Sequence, residues 1–381
     1  MTRYAYIRYL LLALLSFSSA YSFSQTGKAE AQVQDAIKKY NAVGLSVAVV
    51  KKGKVIYTHS FGLKDVEQGI PLTENTLFRI ASISKSFSAT AIMQLVDEGR
   101  LNLDEDFSRL VGFKVRNPKY PDKIISLKMV MSHTSSINDS QGYFNLDAIN
   151  PDKNPDWAKC YNTYVPGAGY QYCNLNYNMI GAIIEKLGGE RFDQYVKHRI
   201  LDPLKLYGGY CVDSLDNSRF AKLYVYDTTA GKYMADPMAY APRREELGRY
   251  VMGYSTPVLS PTGGMKITVP DLARYMIMHM NMGKSNGVKV ISAKSAALMQ
   301  TKISEEEGYG LAIRTVTGLI PGKVMKGHTG SAYGLYSTMF FQPEEKFGFV
   351  VITNGCNASY TNEFNDLLAA TVNILFENFI Q

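Results

Sequence analysis

The sequence lacks the marks of several protein classes. Lys and Arg are interspersed with Asp and Glu, with no basic run despite a net charge of +7, so nucleic-acid binding is not indicated. None of the four cysteines forms a Cys-x-x-Cys pair, which argues against a zinc ribbon or a thiol redox motif. Beyond residue 24, no apolar run is long enough to cross a bilayer. We therefore expect no nucleic-acid partner and no stable membrane span.

Two common hydrolase signatures are not expected. The five histidines are scattered, and no His-Glu-x-x-His pattern of a metallohydrolase occurs. We also expect no Gly-x-Ser-x-Gly motif, which carries the nucleophile of a Ser-His-Asp hydrolase at a strand-to-helix turn. We therefore expect neither a metal nor another cofactor, and any catalytic serine must lie in a different setting.

The N-terminus has the pattern of an export signal. Arg3 and Arg8 precede the apolar residues 9–15, and the small residues 18–20 follow. The apolar run is too short for a mature membrane-spanning helix. We predict a signal peptide over residues 1–24, cleaved after Ala20 or near Ser24, and a periplasmic or secreted mature protein. An uncleaved anchor is the alternative.

The cysteines Cys160, Cys173, Cys211 and Cys356 could pair in an oxidising compartment. Four cysteines allow three complete pairings, and spacing alone does not choose among them. A Cys160–Cys211 disulfide is one prediction, because both residues lie in the middle of the chain. The other is that all four are free and buried.

Both ends of the chain carry sheet and helix patterns. Residues 33–40 and 364–379 repeat apolar side chains at helical spacing. The pairs 45–50 with 55–61 and 337–342 with 347–353 are typical of β-hairpins. The sequence therefore predicts one antiparallel sheet built from both ends of the chain, with helices packed on it.

The middle of the chain has a different pattern. Helices are predicted at 175–187, 191–200 and 270–283, and a long loop at 138–171. We therefore predict an α/β sheet domain formed by residues 25–103 plus 288–381, and a helical domain formed by residues 104–287.

Ser82 and Lys85 stand three residues apart at the start of a predicted helix over 82–98, so they share a face. The lysine amine can reach the serine hydroxyl, which is a weak nucleophile without such a neighbour. At a helix N-terminus, free N–H groups can hold an oxyanion, and the helix dipole favours neutral lysine. The alternative is a capping serine with a solvated lysine, since Ser-x-x-Lys is a short pattern.

Two later stretches carry polar residues next to a predicted helix or a predicted strand. Tyr172-Cys173-Asn174 follows a Pro-Gly turn at 166–167 and precedes an amphipathic helix. His328-Thr329-Gly330-Ser331 leads into a predicted strand, where a glycine often marks a close approach of a ligand to the backbone. For His328 the alternative is a hydrogen-bonded structural histidine.

In this order, the three patterns resemble those of the penicillin-recognising serine hydrolases: class C β-lactamases, soluble D-Ala-D-Ala carboxypeptidases and related esterases. Residues 130–137, VMSHTSSI, and 260–275, SPTGGMKITVPDLARY, are similar to family phrases, with Ser136 replacing a usual glycine. The resemblance covers roughly residues 40–380. It implies a β-lactamase/transpeptidase-like α/β (α+β) fold: an antiparallel sheet flanked by helices, an inserted mainly helical domain, and the site between them.

The resemblance also implies catalytic roles. Ser82 would attack the carbonyl carbon of the substrate, and Lys85 and Tyr172 would share general-base and general-acid duty. Which of these two is the base stays open. The backbone N–H groups of Ser82 and Ser331 would form the oxyanion hole.

Substrate-binding roles are implied for four further residues. Asn174 would bind the substrate amide, and His328 and Thr329, followed by Gly330, would contact a substrate carboxylate. His328 stands where β-lactamases mostly carry lysine, and a neutral imidazole attracts a carboxylate less than an ammonium does. This departure favours peptide or ester hydrolysis over efficient β-lactam destruction.

The expected function is that of an exported serine hydrolase acting through an acyl-enzyme. The first expectation is a D-Ala-D-Ala carboxypeptidase or a D-amino-peptide hydrolase. A true β-lactamase, a small-ester esterase and a penicillin-binding sensor without turnover are the alternatives. The expected partner is a small peptide, a β-lactam or an ester, with a peptidoglycan stem peptide as one candidate.

Overall fold

The computed structural model of the protein describes residues 25–381. The predicted signal peptide lies outside these residues. Across 25–381, no helix combines the length and the apolar character needed to cross a membrane.

The elements run along the chain as follows. The α-helices are 25–39 (α1), Ser84–Asp97 (α2), Phe107–Val111 (α3), Leu127–Met131 (α4), Asn174–Gly188 (α5), Phe192–Val196 (α6), Asp202–Leu204 (α7), Arg244–Gly248 (α8), Val269–Met280 (α9), Ala293–Gln300 (α10) and Asp366–Phe379 (α11). The strands are Gly44–Lys51 (β1), Lys54–Asp65 (β2), Ile70–Pro71 (β3), Phe78–Arg79 (β4), Gly208–Gly209 (β5), Leu223–Asp227 (β6), Lys232–Asp236 (β7), Lys266–Ile267 (β8), Lys284–Ser285 (β9), Val288–Lys289 (β10), Arg314–Val316 (β11), Met325–Ala332 (β12), Leu335–Gln342 (β13), Phe347–Gly355 (β14), Tyr360–Thr361 (β15) and Phe364–Asn365 (β16).

Both ends of the chain build the main sheet, in the order β11-β12-β13-β14-β1-β2-β3 with antiparallel pairing throughout. The central strand β1 pairs with β14 through Val47 and Val351, and with β2 through Val47 and His59. The prediction of an antiparallel sheet made from both termini is confirmed.

The two faces of the sheet carry separate apolar clusters, because successive side chains of a strand point to opposite faces. Val47 and Val49 of β1 pack with apolar side chains of α1 and α11. Ala48 and Val50 belong to the opposite cluster, which includes side chains of α2, α5 and α9. Helix α2, which follows Ser82, is therefore buried within this second cluster and packs on α5 and α6.

The middle of the chain contains the three predicted helices, with changes at their ends. The helix predicted at 191–200 is split, because α6 ends at Val196 and a π-helical turn, Lys197–Leu201, follows. The helix predicted at 270–283 is α9, which packs on β1, β2, β13 and β14. The hairpin β6–β7, which has no counterpart among the predicted elements, packs on β14. The proposed division of the chain at 103/104 and 287/288 stays a prediction.

All four cysteines are free and buried, so the predicted Cys160–Cys211 disulfide is wrong. Buried free cysteines behave as small apolar residues, and these four lie within the packed core. The Cys160 thiol donates to the Ala148 carbonyl oxygen at 3.2 Å. Cys211 lies elsewhere, on the wall of a cavity that Cys160 does not line. The alternative prediction, four free buried cysteines, is the one that the structure bears out.

Candidate active site

Ser82 lies in a tight turn between strand β4 and helix α2. The 3₁₀ turn Ala81–Ile83 connects the two elements, and α2 begins at Ser84. Ala81 is buried and has a φ of 46°, a left-handed conformation that costs a non-glycine residue about 1–2 kcal/mol. This turn presents Ser82, which is half-buried, at the N-terminal end of α2, where backbone N–H groups lack helical partners.

Lys85 lies one turn beyond Ser82 and is fully buried. Its Nζ lies 3.1 Å from Ser82 Oγ, 2.9 Å from Asn174 Oδ1 and 3.0 Å from the Thr262 carbonyl oxygen. Burial lowers the pKa of Lys85 from 10.5 to about 7, and the negative charge of Asp139 partly opposes that shift. Both forms are therefore populated near neutral pH. The ammonium donates to all three oxygens, whereas the neutral amine can accept the Ser82 proton.

Tyr172 flanks the Ser82–Lys85 pair. Lys85 Nζ lies 4.6 Å from the centroid of the Tyr172 ring. Burial raises the pKa of the Tyr172 phenol, and the neighbouring Ser82 hydroxyl counteracts only part of that rise. Among residues 25–381, the buried phenol oxygen has no partner with hydrogen-bond geometry. Tyr172 therefore stands in the resting site as a neutral phenol with a free proton.

Asn174 begins helix α5, and Asp139 fixes its orientation. Asp139 accepts from the backbone N–H of Asn174 at 2.8 Å and of Leu175 at 3.0 Å, which caps the helix. It also accepts from Asn174 Nδ2 at 3.1 Å. Asn174 Oδ1 is thereby turned toward Lys85 and toward Thr262, whose hydroxyl donates to it at 2.9 Å. Asp139 lies in the predicted loop 138–171, and no sequence motif marked it.

His133, within the quoted phrase at 130–137, supports the same segment from behind. The ring is buried, its centroid lies 4.4 Å from that of Tyr172, and Nδ1 accepts from the Cys173 N–H at 3.2 Å. Burial holds its pKa well below 6.5, so the ring is neutral. Ser136 occupies the position of the usual glycine with a φ of 64° and accepts from Asn117 at 2.9 Å.

His328, Thr329 and Gly330 lie on strand β12, and the histidine is held by its own neighbours. His328 Nδ1 lies 2.5 Å from the Thr329 carbonyl oxygen, which can only accept, so Nδ1 carries the proton. Nε2 then accepts from the buried Tyr309 hydroxyl at 3.1 Å. Burial lowers the pKa of His328 to about 3, so the imidazole is neutral. Tyr309 had no signal in the sequence patterns.

The packing of the protein itself requires a glycine at position 330. A Cβ atom at this position would lie 2.3 Å from the Ile80 carbonyl oxygen and 2.5 Å from Ser337 Oγ. The backbone of β12 therefore lies close to the segment that carries Ser82. This packing, and not the expected approach of a ligand, is the first reason for the glycine. Ser331, the next residue, is exposed at the end of the strand.

Ser82 lies where two cavities meet. A cavity of about 230 Å³ is lined by Ser82, Tyr172, His328, Thr329 and Arg314, among others. A second cavity of about 480 Å³ is lined by Ser82, Tyr172, Asn174, Arg79 and Tyr333, among others. Ser331 lines both. Every predicted site residue thus lines at least one of the two cavities, except Lys85, which is buried behind Ser82 and contacts it directly.

The structure also bears on two other kinds of hydrolase, a metallohydrolase and a Ser-His-Asp hydrolase. Within the described part of the chain, no group of three or more His, Cys, Asp or Glu side chains is placed to hold a metal ion. One stretch, 283–287, has the letters Gly-Lys-Ser-Asn-Gly. The expectation that the sequence holds no Gly-x-Ser-x-Gly motif is therefore wrong, but this stretch forms the hairpin β9–β10 and not a strand-to-helix turn.

Comparisons with known proteins show which family and relatives the chain is similar to. A sequence model of the beta-lactamase family matches residues 29–371. Penicillin-binding protein 4 of Amycolatopsis lactamdurans is 28% identical, over 88% of this chain and 87% of the relative. Protein flp of Staphylococcus aureus is 24% identical over 86% of this chain, which spans 62% of that relative.

Two solved structures share the fold. The octameric penicillin-binding protein homologue from Pyrococcus abyssi has a TM-score of 0.73 and 26% identity, over 92% of this chain and 77% of the other. The D-amino acid amidase from Ochrobactrum anthropi has a TM-score of 0.71 and 20% identity, over 93% and 98% of the two chains. At that identity the second likeness concerns the fold alone.

Proposed function

We propose that this chain, which belongs to the beta-lactamase family and is a serine hydrolase, cleaves amide or ester bonds through an acyl-enzyme formed on Ser82. The observation that carries the proposal is the contact of 3.1 Å between Lys85 Nζ and Ser82 Oγ. A buried lysine with a pKa of about 7 supplies the neighbouring base that a serine nucleophile needs near neutral pH.

The acylation step follows from these contacts. Neutral Lys85 takes the Ser82 proton while Oγ forms a bond to the substrate carbonyl carbon. The carbonyl oxygen becomes an oxyanion, and the N–H groups of Ser82 and Ser331 are the expected donors to it. The bond to the leaving nitrogen or oxygen then breaks, and the leaving atom receives a proton. Water afterwards attacks the ester on Ser82, releases the acid and returns the proton to the serine.

Tyr172 and Lys85 then have different roles. A phenol with a raised pKa is a poor base but keeps a proton that it can donate. We therefore assign the resting general base to Lys85 and proton delivery to the leaving group to Tyr172.

The substrate class that we favour is a peptide or amide containing D-amino acids, as in a D-Ala-D-Ala carboxypeptidase. The 28% identical relative is named a penicillin-binding protein, and one structural neighbour is a D-amino acid amidase. The neutral, internally bonded His328 offers no ammonium to a substrate carboxylate, whether that of a β-lactam or that of a terminal D-Ala, so the preference between these two rests on the relatives. A small-ester esterase is the second candidate, because an uncharged leaving group needs no cation there.

The deciding experiment is intact mass spectrometry after incubation with benzylpenicillin, on wild type and Ser82→Ala. We expect a mass increase equal to the penicillin in wild type only. A long-lived adduct supports a carboxypeptidase-like enzyme, and a short-lived one a β-lactamase. If neither protein forms an adduct, release of D-Ala from an acylated D-Ala-D-Ala peptide and of nitrophenol from nitrophenyl acetate separates peptidase from esterase. No turnover of any substrate by wild type would contradict the proposal.

Export also belongs to the proposal. Residues 1–24 have the signal-peptide pattern, and a hydrolase of cell-wall peptides would meet its substrate outside the cytoplasm. N-terminal sequencing of the secreted or periplasmic protein should begin after Ala20 or near Ser24. A mature protein that retains Arg3 would contradict cleavage.

A further inference from the structure

The cavity on the Asn174 side of Ser82 continues deeper into the protein. A neighbouring cavity of about 270 Å³ shares with it four lining residues: Arg79, Phe144, Ser260 and Tyr333. We call the two together the acyl chamber. Under the proposed function, the substrate amide on the acyl side lies at Asn174, so the acyl group extends into this chamber.

Two basic side chains on the chamber wall have no carboxylate partner in the described part of the chain. Arg79 Nε donates to the Gly263 carbonyl oxygen at 2.8 Å and Nη1 to the Ala239 carbonyl oxygen at 3.3 Å. Lys266 is 3% exposed, and its Nζ donates to the Tyr210 carbonyl oxygen at 2.6 Å. Buried charges are ordinarily paired, because removing an unpaired charge from water is costly.

The remaining charged groups of the chamber do not neutralise these two. Arg243 lies on the same wall and is paired with Glu246 at 3.1 Å. Asp193, which also acts electrostatically on Lys266, is paired with Arg191 at 2.6 Å. The charge of Arg79 is therefore left uncompensated. Burial holds the pKa of Lys266 well below 10.5, and no carboxylate among residues 25–381 is in place to keep this amine protonated.

The cavity on the opposite side of Ser82 lacks such an excess. Arg314 lines it but is paired with Glu363 at 2.8 Å, and a second carboxylate, Glu307, lies 3.5 Å away. His328 is neutral there. Positive charge available to a ligand is thus concentrated on the acyl side.

We propose that the acyl chamber is a subsite for a carboxylate carried by the acyl portion of the substrate, bound by Arg79 and Lys266. The placement of the acyl portion rests on the proposed function. A substrate with a free ammonium on this side would face the unpaired guanidinium of Arg79 and no carboxylate that could bind it, so simple D-amino acid amides are disfavoured. Peptides whose acyl end is blocked and bears a free acid are favoured.

A matched pair of substrates tests the subsite. N-succinyl-D-Ala-D-Ala and its succinamoyl analogue differ only by a carboxylate or a primary amide at the acyl end. We expect wild type to prefer the acid by about tenfold or more in kcat/KM, because hydrogen bonds between charged groups exceed neutral ones by that order. D-alaninamide should be the poorest substrate of the three.

Substitutions at Arg79 and Lys266 test whether these two side chains cause the preference for the acid. In Arg79→Gln and in Lys266→Met, the ratio of acid to amide should fall toward one. The matched control is Arg244→Gln, which removes an exposed cation next to Arg243 and should keep the wild-type ratio. Thermal unfolding checks that each variant is folded. A ratio near one in wild type, or a preference that survives both substitutions, would overturn the subsite.

A binding experiment separates this inference from the proposed function. Calorimetric titration of Ser82→Ala with the same acid and amide needs no turnover. The subsite is supported if Ser82→Ala binds the acid more tightly than the amide and the Ser82→Ala, Arg79→Gln double variant does not. This result supports the subsite even if no hydrolysis occurs. Equal binding of the two refutes it even if both are hydrolysed. Free succinate that binds as tightly as the succinyl peptide would also refute it, since the chamber would then be an independent small-anion site.

Discussion

Replacing Lys85 by Met should change how the stability of the protein depends on pH. Lys85 is fully buried, and its pKa falls from 10.5 to about 7 on folding. Below about pH 7 the lysine is protonated in both states, so the full cost of burying the ammonium lowers the free energy of unfolding. Between about pH 7 and about pH 10.5 only the unfolded chain keeps the proton, so the stability of wild type rises with pH.

The magnitude follows from that pKa difference. A displacement from 10.5 to about 7 corresponds to about 5 kcal/mol in total. Of this, about 3.5 kcal/mol should be recovered between about pH 7 and about pH 10. Met has a similar shape and no titrating group. Its loss of hydrogen bonds to Asn174 and Thr262 adds only an offset that does not vary with pH.

Urea unfolding of wild type and Lys85→Met at several pH values measures the difference directly. Lys123→Met, at an exposed lysine, is the matched control and should follow wild type at every pH. In wild type, kcat/KM should also fall as the pH drops below about 7, because protonated Lys85 cannot accept the Ser82 proton. A stability difference that stays constant within about 1 kcal/mol from pH 7 to pH 10 would refute a lysine with so low a pKa.

Three further predictions concern the surroundings of the pair. Gly330→Ala should lower acylation at least about a hundredfold, because its Cβ would collide with the Ile80 carbonyl oxygen. Gly248→Ala, which meets nothing within 4 Å, should leave the rate unchanged, and equal rates in the two variants would contradict the close approach. Asp139→Asn should move the fall of kcat/KM at acid pH to a lower pH, because the charge that raises the Lys85 pKa is lost. If this part of the pH profile does not move, Asp139 does not influence the Lys85 pKa. Thiol titration without reductant should detect four thiols per unfolded chain and few in the native protein, whereas two would indicate a disulfide.

Local patterns in the sequence determined much of the fold and the identity of the reacting residues. Apolar runs on either side of short polar turns predicted the hairpins at both ends, because a turn of that kind joins neighbouring antiparallel strands. The Ser82–Lys85 spacing of three residues brings hydroxyl and amine to one helical face whatever surrounds them. The π-helical turn after Val196 and the hairpin β6–β7 escaped prediction, since packing and not local propensity sets them.

Only the tertiary structure decided the chemistry of these residues. The low pKa of Lys85 results from burial among groups distant in sequence, Asn174 being 89 and Thr262 177 positions away. The neutrality of His328 results from its burial, and Tyr309 donates a hydrogen bond to the neutral ring. The charge of the acyl chamber depends on which carboxylates lie nearby. The sequence by itself determined which side chains can react, because reactivity begins with residue type and short spacing. The fold decided their protonation and partners, because desolvation and pairing depend on contacts between segments far apart along the chain.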